Sequence, residues 1–154
     1  LNLNQRVHKK GEISLNDLID KVKSVHEFEE AGALAIFIGV VRGKTETGKK
    51  VEKLEIEAYE EKADEVLGNI CRDLKKKKGI IDVQIHHFLG KFDVGEELVY
   101  VLVAGMHRND VFLVMEEAVE RYKKEVPIFK KEYIIDEKGN KSAYWVSEKQ
   151  ESRS

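Results

Sequence analysis

Lysines crowd one corner of the sequence. In YKKEVPIFKKEY, residues 122–133, Lys123 and Lys124 precede the chain's only proline, Pro127, and Lys130 and Lys131 follow it. Amines held close together repel, so such a corner either faces open water or is shaped for an anion. Two other stretches carry related chemistry. VAGMHRNDVF puts His107 and Arg108 where an apolar run ends and a helix begins, with Asn109 or Asp110 as the expected cap. Free backbone N–H groups and the helix dipole favour an anion there, and an imidazole and a guanidinium would add charge-assisted hydrogen bonds to phosphate. Arg42 ends another apolar run, just before a glycine-containing loop, where a rigid scaffold meets a free segment. Each has a plainer reading: a capped helix with a solvated Arg and a packed His, or a helix end whose lysines suit its dipole.

Helical geometry separates the lysines. At about 100° per residue, Val111, Met115, Ala118, Val119 and Tyr122 form one apolar stripe. Lys123 falls at the edge of that stripe and can lie along a groove wall with its ammonium at the rim, whereas Lys124 points into water. Lys130, just past the Pro127 corner, can turn back toward the same helix end.

Other candidates fail on spacing. His86 and His87 are adjacent in a strand, so they face opposite ways and cannot chelate one metal. His8 and His26 lack neighbours at ligand spacing, and no phosphate loop or nucleophile elbow is present. Cys71 lies beside the inner face of its helix and reads as core, and the KKKK run at 75–78 reads as a solvated helix end. No metal site or cofactor is expected.

The elements that must position these residues alternate in a regular way. SLNDLIDKVKSV opens with Ser14 three residues before Asp17 and continues with apolar residues at helical spacing. Residues 32–41, GALAIFIGVV, form a continuous apolar run that predicts a buried strand, followed by a loop, RGKTETGKK, expected to be mobile. VEKLEIEAY alternates as a half-buried strand. A helix over about 60–78, stopped by Gly79, leads into the strands IIDVQIHHFLG and ELVYVLVAG. A third helix ends before Pro127, and a hairpin around EKGN closes the chain. The order α-β-β-α-β-β-α-β-β predicts an α+β fold with a mostly antiparallel sheet and three main helices.

With 154 residues, 42% hydrophobic and 36% charged, the chain is sized for one domain over 1–154, its core at about 12–150 and its ends looser. A net charge of −2 argues against a general nucleic-acid binder. The first residues lack the apolar core of a signal peptide, no run is long enough to cross a bilayer, and one cysteine excludes a disulfide framework. The expectation is a cytoplasmic protein bound to neither membrane nor nucleic acid.

Taken together, GALAIFIGVVRG, MHRNDVF and YKKEVPIFKKE, in this order and spacing, resemble the large subunit of molybdopterin synthase, the MoaE family, and the closing YWV after a hairpin fits it too. The resemblance covers residues 12–150. It implies an α/β-hammerhead fold and a sulfurtransferase that converts cyclic pyranopterin monophosphate, precursor Z, into molybdopterin. The two sulfurs would come from the C-terminal thiocarboxylate of a small ubiquitin-like subunit. It further implies a homodimer of large subunits within a heterotetramer, and no cofactor. Carried onto this sequence, Lys123 and Lys130 become the catalytic pair. Val40, Val41, Arg42, His107, Arg108, Lys131 and Glu132 become the substrate contacts, and Lys149 is the counterpart of a basic residue that reaches into the neighbouring subunit's site. Two other readings share the lysines: a docking module for an acidic tail without chemistry, and a single-stranded RNA binder using Phe129 and Tyr133.

The wheel geometry and the resemblance select the same lysine. Lys123→Ala is expected to nearly abolish sulfur transfer to the pterin and Lys124→Ala to leave it almost intact; equal losses in a turnover assay would sink the assignment.

Overall fold

The computed structural model describes residues 4–146. In chain order the elements are β1 (Val7–Lys9), α1 (Leu15–Lys23), a short 3₁₀ turn (His26–Glu30), β2 (Ala33–Val40), β3 (Lys50–Ala58) and α2 (Glu60–Lys75). Then come β4 (Ile80–Asp93), β5 (Glu97–Gly105), α3 (Arg108–Glu125), β6 (Ile128–Ile135) and β7 (Lys141–Trp145). The sheet runs β2-β5-β4-β3-β6-β7, with β1 beside β4. Every pairing is antiparallel except β1 with β4. This is the expected α+β fold, with β1 as an addition too short to read from periodicity.

Local chemistry explains most boundaries. Ser14 and Asp17 form a reciprocal capping box at the start of α1, with bonds of 3.0 and 3.1 Å. Asp136 accepts the backbone N–H groups of Lys138 (2.9 Å) and Asn140 (2.8 Å), which closes the hairpin between β6 and β7 around Gly139. Helix α2 stops at Lys75, before the lysine run ends, and Gly79 takes φ 76 beneath the side chain of Asp110.

β4 is the spine. Its first half pairs with β5, residues 87–89 with β1, and residues 90–93 with β3, the change of partner coming at Gly90 (φ 126). Helices α2 and α3 pack on β4 and β5 and against each other, and α1 packs on the same two strands. Leu18, Leu67, Ile70, Leu74, Ile85, Leu102 and Phe92 lie at the centre of the core.

Two expectations are corrected. The apolar run at 33–40 is not buried on both faces: β2 is an edge strand paired only with β5, and Ile36, Ile38 and Val40 are 38%, 36% and 54% exposed. Its second apolar face finds no cover within one chain. Neither Asn109 nor Asp110 caps α3, since the cap position is His107, with extended backbone and no side-chain cap bond. Asp110 falls in the first turn, where a carboxylate suits the helix dipole.

The buried face of β4 carries a polar chain. Gln84 donates to Asp82 (3.1 Å), which turns its carbonyl oxygen toward His86 Nε2 (3.0 Å). That nitrogen therefore carries the proton, and His86 Nδ1 accepts from His8 Nε2 at 2.8 Å, with the two rings stacked. Both histidines are neutral. Burial lowers the pKa of His8, against the pull of Glu12 and Asp64. Burial followed by the charges around His8 and Arg6 takes His86 down to about 2. On the opposite face His87 donates from Nδ1 to the Phe88 carbonyl (3.0 Å), and burial, then the Lys130 ammonium, lowers it to about 3.

These histidines bind protons at 6.5 when unfolded and only at lower pH when folded, so their contribution to stability is full above 6.5 and is lost as pH falls. Each costs about 1.4 kcal/mol per pH unit on the way down. Urea midpoints measured from pH 7 to pH 4 should fall steadily, and more shallowly in His86→Gln; a flat profile would contradict the buried neutral assignment.

Candidate active site

The site follows from two ladders. β2 ends beside the start of β5, with Val40 opposite Glu97, and the chain then continues as Val41 and Arg42. β3 returns alongside β6 with Leu54 opposite Glu132 and Ile56 opposite Lys130. Lys130 and Glu132 are two apart on β6 and so share a face, whereas Phe129, Lys131 and Tyr133 take the other.

Between the exit of β2 and this face of β6 lies a cavity of about 440 Å³, within the range of small-molecule sites. Its apolar lining includes Val40, Val41, Val51, Leu54 and Leu98. Its charged lining is Arg42, Lys44, Lys49 and Lys130 against Glu46 and Glu132, an excess of two positive charges. Thr45, Thr47, Tyr144 and Val146 complete the wall. Beneath it His87, neutral and fully buried, meets the Tyr122 ring edge-on at 5.9 Å between centroids.

The loop at 42–50 contains a hydrogen-bonded turn. Thr45 donates its N–H to the Lys49 carbonyl (2.8 Å), Lys49 donates to Thr45 Oγ1 (3.0 Å), and Val51 donates to the Gly43 carbonyl (3.0 Å). Gly48 takes φ 86 at the tip. Lys44 and Lys49 are thereby held on the cavity wall. The reading of the sequence missed them, although a turn with lysines at both feet was the available signal.

A wall of fixed cations around an apolar floor can bind an anionic, partly flat ligand and neutralise charge that develops on it. A family model described as MoaE protein matches residues 8–125 of the chain. The chain belongs to the MoaE family.

Its relatives agree. A molybdopterin synthase catalytic subunit of Bacillus subtilis is 39% identical over 127 residues, which are 82% of this chain and 78% of that protein. A probable molybdopterin synthase of Haloferax volcanii is 34% identical over 138 residues, 89% of this chain; the chain spans only about half of that relative, 51%. Among solved structures, molybdopterin synthase from Staphylococcus aureus superposes with a TM-score of 0.80 at 29% identity, covering 96% of this chain and 99% of its own. The complex of subunits 1 and 2 of molybdopterin-converting factor from Helicobacter pylori shares the fold at a TM-score of 0.66 and 20% identity, over 84% of each chain.

In this MoaE-family chain the structure brings together Val40, Val41, Arg42, Lys130 and Glu132. Lys123 is half-buried and follows Tyr122 on α3, but it is not on the cavity wall; Lys124 is exposed and pairs with Glu120 at 3.6 Å, as the wheel predicted. Lys131 lies on the other face of β6, over the rings of Tyr133 (5.5 Å) and Trp145 (5.6 Å). His107 and Arg108 are exposed at the far end of β5, the length of a nine-residue strand away from the Val40 exit, roughly 27 Å at strand spacing. Lys149 lies outside the described residues. Among the described residues no group of three His, Cys, Asp or Glu could hold a metal ion. The face an RNA strand would need sets Glu57 opposite Phe129 and Glu55 opposite Lys131, a poor platform for phosphates.

Inorganic phosphate should occupy this cavity. At ten times its dissociation constant it is expected to raise the melting temperature by about 3–6 °C, and Arg42→Ala with Lys130→Ala should abolish the shift in a thermal-shift titration. A shift that survives in the double variant would place the anion elsewhere.

Proposed function

We propose that this chain is the large, catalytic subunit of a molybdopterin synthase, which moves two sulfurs from the thiocarboxylate tail of a small ubiquitin-like subunit onto precursor Z in the cytoplasm. The observation that carries the reading is the charge of the cavity. Two net positive charges face two anions, the cyclic phosphate diester and the tail thiocarboxylate, each with one negative charge. The names of the relatives support the same activity, and the two-subunit Helicobacter pylori complex supports a small partner.

The residue types suit the chemistry. Arg42 offers a forked donor to the phosphate, and Lys44 and Lys49 stand where charge grows when the cyclic diester opens to a monoester. Lys130 neutralises the thiocarboxylate and the charge that builds on the pterin side chain. Lys123, one residue beyond Tyr122, acts at the acyl–sulfur junction, where each transfer leaves the tail a carboxylate. Val40 and Val41 form the apolar side of the pterin slot.

His107 and Arg108 enter from a second copy. In one chain they lie a strand's length from Arg42, while the outer face of β2 leaves Ile36, Ile38 and Val40 uncovered. A two-fold dimer covers like with like, and pairing through this surface brings the helix start of one copy toward the cavity of the other.

Incubation with precursor Z and a thiocarboxylated small subunit, followed by mass spectrometry, should show a gain of two sulfurs that depends on both proteins; tail binding without transfer would instead mark a docking module. Arg42→Ala and Arg108→Ala homodimers should each be nearly inactive. Mixed and re-equilibrated, they should recover roughly a quarter of wild-type activity, because half the dimers are mixed and each of these has one intact site. No recovery would place both residues in the site of one chain.

A further inference from the structure

We propose that Tyr144 is a positioning residue of the cavity: its hydroxyl fixes the Glu132 carboxylate and so keeps it from neutralising the cations that meet the substrate. The inference rests on the catalytic reading above. Tyr144 on β7 and Glu132 on β6 are directly opposed in the ladder, both line the cavity, and the hydroxyl donates to Glu132 Oε1 at 3.1 Å. Burial, then this bond, raises the phenol to about 12, so at working pH it remains a donor and not a proton source.

The need for such a tether follows from the surroundings. Glu132 faces Lys130 on its own strand, Arg42 at the exit of β2, Lys44, Glu46 and Lys49 on the turn, and Tyr144 on β7. A carboxylate free to rotate would pair with whichever cation came nearest and cancel charge meant for the substrate. Held by Tyr144 through one oxygen, it is kept from swinging onto them.

The fold contains its own control. Tyr133, on the other face of β6, donates to Glu55 at 2.7 Å, with the same pair of groups across the same sheet but outside the cavity. A purely structural role would make the two tyrosines equivalent.

The test uses the complex with the small subunit and the variants Tyr144→Phe and Tyr133→Phe. Losing the tether frees the carboxylate to pair with the cations, so in Tyr144→Phe KM for the pterin should rise about 3–10-fold. The accompanying fall in kcat should be about 3–10-fold, while Tyr133→Phe changes neither. Independently of turnover, inorganic phosphate should bind Tyr144→Phe about 3–10-fold more weakly than the wild type, and Tyr133→Phe as the wild type does. Unchanged phosphate affinity in Tyr144→Phe, or an equal loss in Tyr133→Phe, overturns the proposal. A wild-type complex that makes no product counts against the catalytic reading instead, and the phosphate titration still decides the role of Tyr144.

Discussion

Like charges gather in a pocket only when something stronger than their repulsion holds them there. Here that constraint is the backbone ladder. The pairing of β3 with β6 sets Lys130 and Glu132 on one face, and the closed turn at 42–50 ties Lys44 and Lys49 to the foot of β3. Four cations and two carboxylates therefore meet around an apolar floor without having to attract one another. Removing the substrate's charge leaves the site intact, because the hydrogen bonds that build it are made elsewhere. Such a site is organised before the ligand arrives, which is what electrostatic stabilisation of a developing charge requires.

The same spine that positions the cavity carries two kinds of buried histidine. His86 belongs to a directional chain from His8 to Asp82 that satisfies polar atoms deep under the helices. His87, one residue later and on the opposite face, stays neutral beneath the cavity, close enough to Lys130 for its charge to matter. Alternation along a strand thus gives one pair of adjacent residues two unrelated duties, a core hydrogen bond on one side and an uncharged floor on the other. A charged His87 would add to the cations already present, so its burial keeps the excess at two.

Much of this was legible in the residues. The capping box at Ser14, the hairpin around EKGN, the opposed faces of His86 and His87 and the difference between Lys123 and Lys124 all follow from spacing, because each depends on neighbours a few positions away. The apolar run at 33–40 misled for a physical reason. An uninterrupted hydrophobic strand reads as buried on both sides, but the sequence does not say whether the second side is covered by the same chain. β2 sits at the sheet edge with that side open. Lys44, Lys49 and Tyr144 escaped because their relevance arises from the approach of β7 and a turn to β6, which leaves no periodic trace.

The sequence by itself determined the element order and the antiparallel α+β fold, since local periodicity is written along the chain, and the resemblance of its motifs implied that Arg42, Lys130 and Glu132 border one site. Only the tertiary structure decided which of those residues share a cavity. It joined Arg42 to Lys130 across β3, turned Lys131 to the far face of β6, and put His107 and Arg108 at the opposite end of β5. The reason is register. A strand position fixes a side chain's face and its distance along the sheet, and neither is known until the partner strand is in place.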